Sequence, residues 1–116
     1  MNSQSLEAGC TYYHVTFADP DLTIPRVEPL VYIGESDDSE APHLFQDIVS
    51  YSRFGSRLHL KGDNDDEIVV YAFSSTSMGS GIVDAEQMLG HVSEAVRRAA
   101  KLGYPKPRAG PWSPRP

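Results

Sequence analysis

Cysteine is almost missing: Cys10 stands alone in a chain of 116 residues. No intramolecular disulfide can form, so a reducing compartment is expected, and the cytoplasm is the default location. Without a second cysteine there is no paired-cysteine metal motif. The four histidines, His14, His43, His59 and His91, show neither HExxH nor any other ligand spacing. No cofactor is expected. Long apolar runs are absent too. Nothing approaches the roughly 20 residues that cross a bilayer. The polar stretch Met1 to Gly9 lacks the basic and apolar regions of a signal peptide. Membrane association is therefore not expected.

Basic residues are scarce over most of the chain. Arg26, Arg53, Arg57 and Lys61 stand against all 16 acids before residue 97, a net −12. Residues 97–116 hold Arg97, Arg98, Lys101, Lys106, Arg108 and Arg115 with no acid, a net +6. An acidic body repels phosphates, which bind through Lys and Arg with release of counterions, so no nucleic-acid partner is expected. The acidity serves solubility, or it forms a face for a basic partner.

What is present reads as one α+β domain, with an antiparallel sheet of about four to five strands packed on one C-terminal helix. Residues 1–10 form a tail, 11–104 the domain and 105–116 a basic, proline-rich tail. Thr11–Phe17 alternates as a half-buried strand does, and Asp19-Pro20-Asp21 ends it. Pro25 and Pro29 make Leu22–Glu28 an edge or a connection, and Leu30–Ile33 is a short strand ended by Gly34. Glu35–Ala41 is a solvated acidic loop. Leu44–Tyr51 fits a helix or a strand, and its aromatic and β-branched content tips it towards strand. Arg57–Lys61 and Glu67–Phe73 flank the turn formers Gly62-Asp63-Asn64-Asp65-Asp66 and read as a β-hairpin. Both faces of its second arm are apolar, which predicts a central, covered strand.

The C-terminal helix carries the most signals. Asp84 is the expected N-cap, Gln87 completes a capping box, and Val83 and Met88 are placed for a hydrophobic staple. Ala85, Met88, Leu89, Val92, Ala95, Val96 and Ala99 form a stripe over about 85–102. Gly103 and Pro105 end it. With one helix to cover a two-sided sheet, a homodimer or a partner is expected over the face left bare.

Each motif that touches chemistry has a plainer reading. Cys10 and His14 share a strand face but sit about 13 Å apart along it, too far for a thiolate–imidazole pair. Asp63, Asp65 and Glu67 alternate as in an EF-hand loop, but Ile68 stands where that loop needs Gly. Gly79-Ser80-Gly81 precedes a helix without a following Lys. Asp47, beside Tyr51, Arg53 and Arg57, needs a donor that either Arg can supply. Pro111-Trp112-Ser113-Pro114 matches PxxP inside a proline-rich tail, where Trp112 packs back on the domain or enters a partner groove.

The resulting expectation is a non-catalytic protein-interaction domain. Its concrete form is an immunity- or antitoxin-like inhibitor that presents an acidic face to a basic protein partner. The partner-binding residues are Glu35, Asp37, Asp38, Glu40, Asp63, Asp65, Asp66 and Trp112. The alternative is a small enzyme or ligand binder with a pocket between sheet and helix, lined by Tyr13, Tyr32, Tyr71 and a histidine.

Overall fold

The computed structural model describes residues 6–59 and 67–104. The chain runs β1 (Thr11–Phe17), β2 (Pro25–Glu35), β3 (His43–Asp47), α1 (Ile48–Phe54), β4 (Val70–Phe73), β5 (Ile82–Val83) and α2 (Ala85–Lys101). The strands form one antiparallel sheet in the order β4-β3-β2-β1-β5. The α+β class and the long C-terminal helix are as the sequence implies.

β2 is a single strand and not a connection followed by a strand, and its prolines explain how. The Tyr32 N–H donates to the Cys10 carbonyl. Even-numbered β2 residues therefore bond towards β1, and odd-numbered ones turn their nitrogens to the other side. Pro25 and Pro29 are odd. β3 reaches along β2 only as far as Leu30, opposite Asp47, so neither proline removes a ladder bond.

Cross-strand pairing places Tyr12, Leu30, Tyr32, Phe45 and Ile82 on one face, where they make the aromatic core with Leu6, Tyr71, Phe73 and Met78 against them. The sheet curls around this core. β2 and β3 lie between β1 and β4, which would be roughly 14 Å apart in a flat sheet. Yet the rings of His14 and Phe73 are 5.0 Å apart. Residues 74–81 then carry the chain from one edge strand to the other. The outer face takes α2: Arg98 lies over the Phe17 ring at 5.8 Å, and Ala95 and Ala99 are buried. The chain itself thus covers the concave face by curling and part of the outer face with α2, while Val27 and Val70 on the outer face stay exposed.

Leu44–Tyr51 divides at Asp47. The strand ends there because the Asp47 carboxylate accepts the Ser50 N–H at 2.8 Å and caps α1. Gly55, at φ 83°, closes the helix by donating to the Tyr51 carbonyl. Gln46, on the outer face beside Val31, is fully buried. Its amide donates to Ser50 Oγ and to the Gly55 carbonyl, and its oxygen accepts the Arg57 N–H.

The expected hairpin is not formed among the described residues. Arg57–His59 is a turn of 3-10 helix, and β4 pairs with β3. Turn-forming residues mark where a chain reverses but not which strand it joins. β4 is also an edge strand and not a central one. Its outward residues, Val70 and Ala72, lie beyond α2 and are exposed.

α2 has the predicted capping box, with Asp84 and Gln87 each bonding the other's N–H. Its apolar stripe is only partly used: Ala95 and Ala99 are buried, whereas Leu89 is 61% exposed. Chemical denaturation should therefore rank four variants. Phe45→Ala, in the fully buried core, should cost about 3–5 kcal/mol. Gln46→Leu, which strands a carbonyl and an N–H, should cost about 2–3 kcal/mol. Asp84→Ala should cost about 1 kcal/mol, and Leu89→Ser should stay within about 0.5 kcal/mol of wild type.

Candidate functional site

A β-bulge builds the most polar end of the sheet. Tyr32 pairs with Phe45 and Gly34 with Leu44, so Ile33 is the extra residue. Gly34 adopts φ 141°, and a Cβ there would stand 3.0 Å from Leu58. Without the bulge, position 34 would share the concave face with Tyr32. With it, Glu35 takes that face and lies opposite His43.

His43 is 3% exposed. Its Nε2 is 3.0 Å from Ser75 Oγ, and its Nδ1 lies 4.0 Å from Glu35 Oε1. Among the described residues, His43 Nδ1 is the buried side-chain nitrogen or oxygen without a hydrogen-bond partner. Ser75 sits two residues beyond Phe73, the β4 partner of His43, and its side of the turn is exposed. The Tyr32 ring lies against His43 at 6.4 Å. Burial, then the charge of Glu35, push the Tyr32 phenol above its usual range, so it stays protonated.

The acidic loop leaves β2 at the same end. It is held by its own backbone: the Ser36 N–H donates to the Pro42 carbonyl at 2.8 Å, and the Asp38 N–H to Ser36 Oγ. The Asp38 carboxylate accepts the Glu40 N–H at 2.9 Å. Glu35, Asp37, Asp38 and Glu40 are all exposed. Among the described residues, Arg53 pairs with Glu67, and Arg97 and Arg98 with Glu94; no Lys or Arg pairs with the loop. Asp63, Asp65, Asp66 and Trp112, also expected in the partner surface, lie outside the described residues.

The remaining expectations resolve less favourably. The Cys10 thiol donates to Glu7, and desolvation followed by that bond and the Glu7 charge push its pKa up, away from a thiolate. No group of three or more His, Cys, Asp or Glu able to hold a metal occurs among the described residues. Asp47 takes its donors from the Ser50 N–H and hydroxyl and from the Val69 N–H, with neither Arg53 nor Arg57 needed. The tyrosine-lined pocket does not form, because Tyr13 is on the outer face while Tyr32 and Tyr71 are on the concave one.

A different cleft, of about 460 Å³, opens at the far end of β2, between the β1–β2 turn and the end of α2. Pro20, Ile24, Ala99 and Tyr104 wall it, with Asp19, Asp21 and Thr23. Asp19 accepts from the Thr23 N–H and hydroxyl and the Ile24 N–H. Leu22 is held at φ 59°, where Arg98 Nε donates to its carbonyl at 2.9 Å. The Tyr104 hydroxyl donates to Asp21 at 2.6 Å, and that bond and charge raise its pKa.

No protein-family model matches the chain, and neither a curated protein nor a solved structure does.

Two carboxylates make the stability depend on acid. Desolvation pushes Asp47 and Asp19 up. Their hydrogen bonds outweigh it and hold both below the ordinary value of 3.8. A depressed folded pKa stabilises fully above the unfolded value and is lost as pH falls through the folded one. Asp47→Asn should therefore be less stable than wild type near neutral pH, and the gap should narrow below about pH 4. Urea denaturation followed by circular dichroism at several pH values measures this, and a gap that widens in acid would contradict it.

Proposed function

We propose that this chain is a protein-interaction domain, an immunity- or antitoxin-like inhibitor that presents its acidic loop to a basic partner in the cytoplasm. The observation that supports the reading is the state of Asp37, Asp38 and Glu40. They are exposed, they have no Lys or Arg partner among the described residues, and their loop is hydrogen-bonded in place. A preorganised loop loses little entropy on binding. Unpaired carboxylates of one sign attract a basic surface at long range and raise its association rate. On this reading the loop recognises and does no chemistry on the partner, and neither a cofactor nor nucleic acid takes part. No helix among the described residues is long and apolar enough to cross a membrane.

A second reading has its own observation. The cleft of about 460 Å³ beside α2 is mostly apolar, carries two carboxylates and has the size of a small-ligand site. It supports the alternative of a small ligand-binding protein, with a lining other than the tyrosines the sequence offered.

The two readings separate experimentally. Asp37→Asn/Asp38→Asn/Glu40→Gln should leave stability within about 0.5 kcal/mol and slow association with a basic protein partner by about tenfold or more at low salt. The difference should shrink as salt rises. The partner comes from affinity capture with the wild-type chain as bait, and its association rate is measured by surface plasmon resonance. A rate unchanged in the triple variant would remove the acidic loop from the interface. Loss on Ile24→Asp instead would move recognition to the cleft.

A further inference from the structure

We propose that Ser75 is an activated nucleophile, with His43 as its general base and Glu35 as the positioning residue behind the imidazole, able to take an acyl group from a small ester. This goes beyond recognition by the acidic loop and uses different atoms.

Two segments distant in sequence converge here: the β2–β3 hairpin, which carries Glu35 and His43, and the turn after β4. Ser75 Oγ lies 3.0 Å from His43 Nε2, within the reach that proton transfer needs. The opposite ring nitrogen is 4.0 Å from Glu35 Oε1 and has no hydrogen-bond partner among the described residues. A proton placed on Nδ1 turns towards the Glu35 carboxylate, which leaves Nε2 as the acceptor for the Ser75 hydroxyl. Glu35 is 66% exposed and free to swing the remaining distance to Nδ1, whereas the buried ring is not. The order serine, imidazole, carboxylate is that of the nucleophilic triads, which are recognised by geometry and role whatever their order in the chain.

The bond between Ser75 and His43 is not needed to hold the turn. The turn Ser75–Ser77 closes through its own backbone, with the Ser77 N–H on the Ser74 carbonyl and the Met78 N–H on that of Ser75. Ser75 is exposed, so an ester can reach it. The carboxylates of Asp37, Asp38 and Glu40 at this end of the sheet repel anionic substrates and favour a neutral or cationic ester.

The chemistry balances without a cofactor. Ser75 Oγ bonds to the ester carbonyl carbon as its proton passes to His43 Nε2. The bond to the leaving oxygen then breaks, and that oxygen takes the proton from Nε2. Water attacks the acyl-serine, gives a proton to Nε2, and releases the carboxylic acid as Ser75 recovers its hydrogen.

The test uses the full chain with p-nitrophenyl acetate and a fluorophosphonate probe, followed by peptide mass spectrometry. Acetyl and phosphonyl adducts should appear on Ser75, and Ser75→Ala should remove them. His43→Gln, which keeps a polar group beside Ser75 but no base, should lower the rate by about 100-fold or more. Glu35→Gln should lower the acylation rate by about tenfold while leaving KM in place. A purely structural Glu35 would leave both unchanged. Circular dichroism confirms that each variant folds. Acylation is read as an adduct on Ser75 and partner binding as an association rate, so loss of one and loss of the other are separate results. Absence of a Ser75 adduct in the folded wild type, or adducts spread equally over other serines, would overturn the proposal. So would a rate unaffected by His43→Gln.

Discussion

The junction between β3 and α1 governs how the outer parts of this fold are attached. Asp47 ends the strand and caps the helix, and it also reaches across to β4. Its carboxylate accepts the Val69 N–H, and its own N–H donates to the Val69 carbonyl. Gln46, one residue earlier, points to the opposite face and holds the Gly55 carbonyl and the Arg57 N–H. Two adjacent side chains thus tie down the start of β4, the end of α1 and the 3-10 turn beyond it. α1 and β4 expose much of their apolar surface, Val49 being 72% exposed. Hydrogen bonds in partly buried places, more than apolar burial, fix their direction.

That attachment matters at the other end of β4. Its register on β3 sets Phe73 opposite His43, and Ser75 follows two residues later. The bulge in β2 supplies the third group by moving Glu35 onto the same face. Curling of the sheet covers the ring: Tyr32 and the turn beyond β4 enclose His43. A polar cluster therefore arises where strand register, bulge and curl coincide.

β2 spans the sheet and separates two surfaces of different character. One end carries the exposed acidic loop with His43 and Ser75 behind it. The other carries the apolar cleft, whose loop is braced by the Asp19 hydrogen bonds and by Arg98. Two of the cations on α2, Arg97 and Arg98, are engaged with Glu94, and Arg98 also serves Leu22. Among the described residues they do not pair with the acidic loop.

Local patterns in the sequence determined what neighbouring residues decide. Alternation in Thr11–Phe17 specified β1, and Asp84, Gln87 and Gly103 bounded α2, because caps and pleats act over a few residues. The acidic residues 37–40 were legible as a solvated loop for the same reason, although Glu35 belongs to β2. Asp47-x-x-Ser50 carried a helix-start signal inside a segment whose composition favoured a strand, and the cap prevailed from Ile48 onward. What the sequence could not show depends on partners far along the chain. Pro29 is compatible with β2 only because β3 stops at Asp47, and β4 is an edge only because its mate is β3. Glu35 and His43 flank one hairpin loop, but no local rule relates either to Ser75. Ser75 arrives through the long-range pairing of β4 with β3, and Glu35 reaches the same face through one extra residue in β2, and those are properties of the tertiary structure alone.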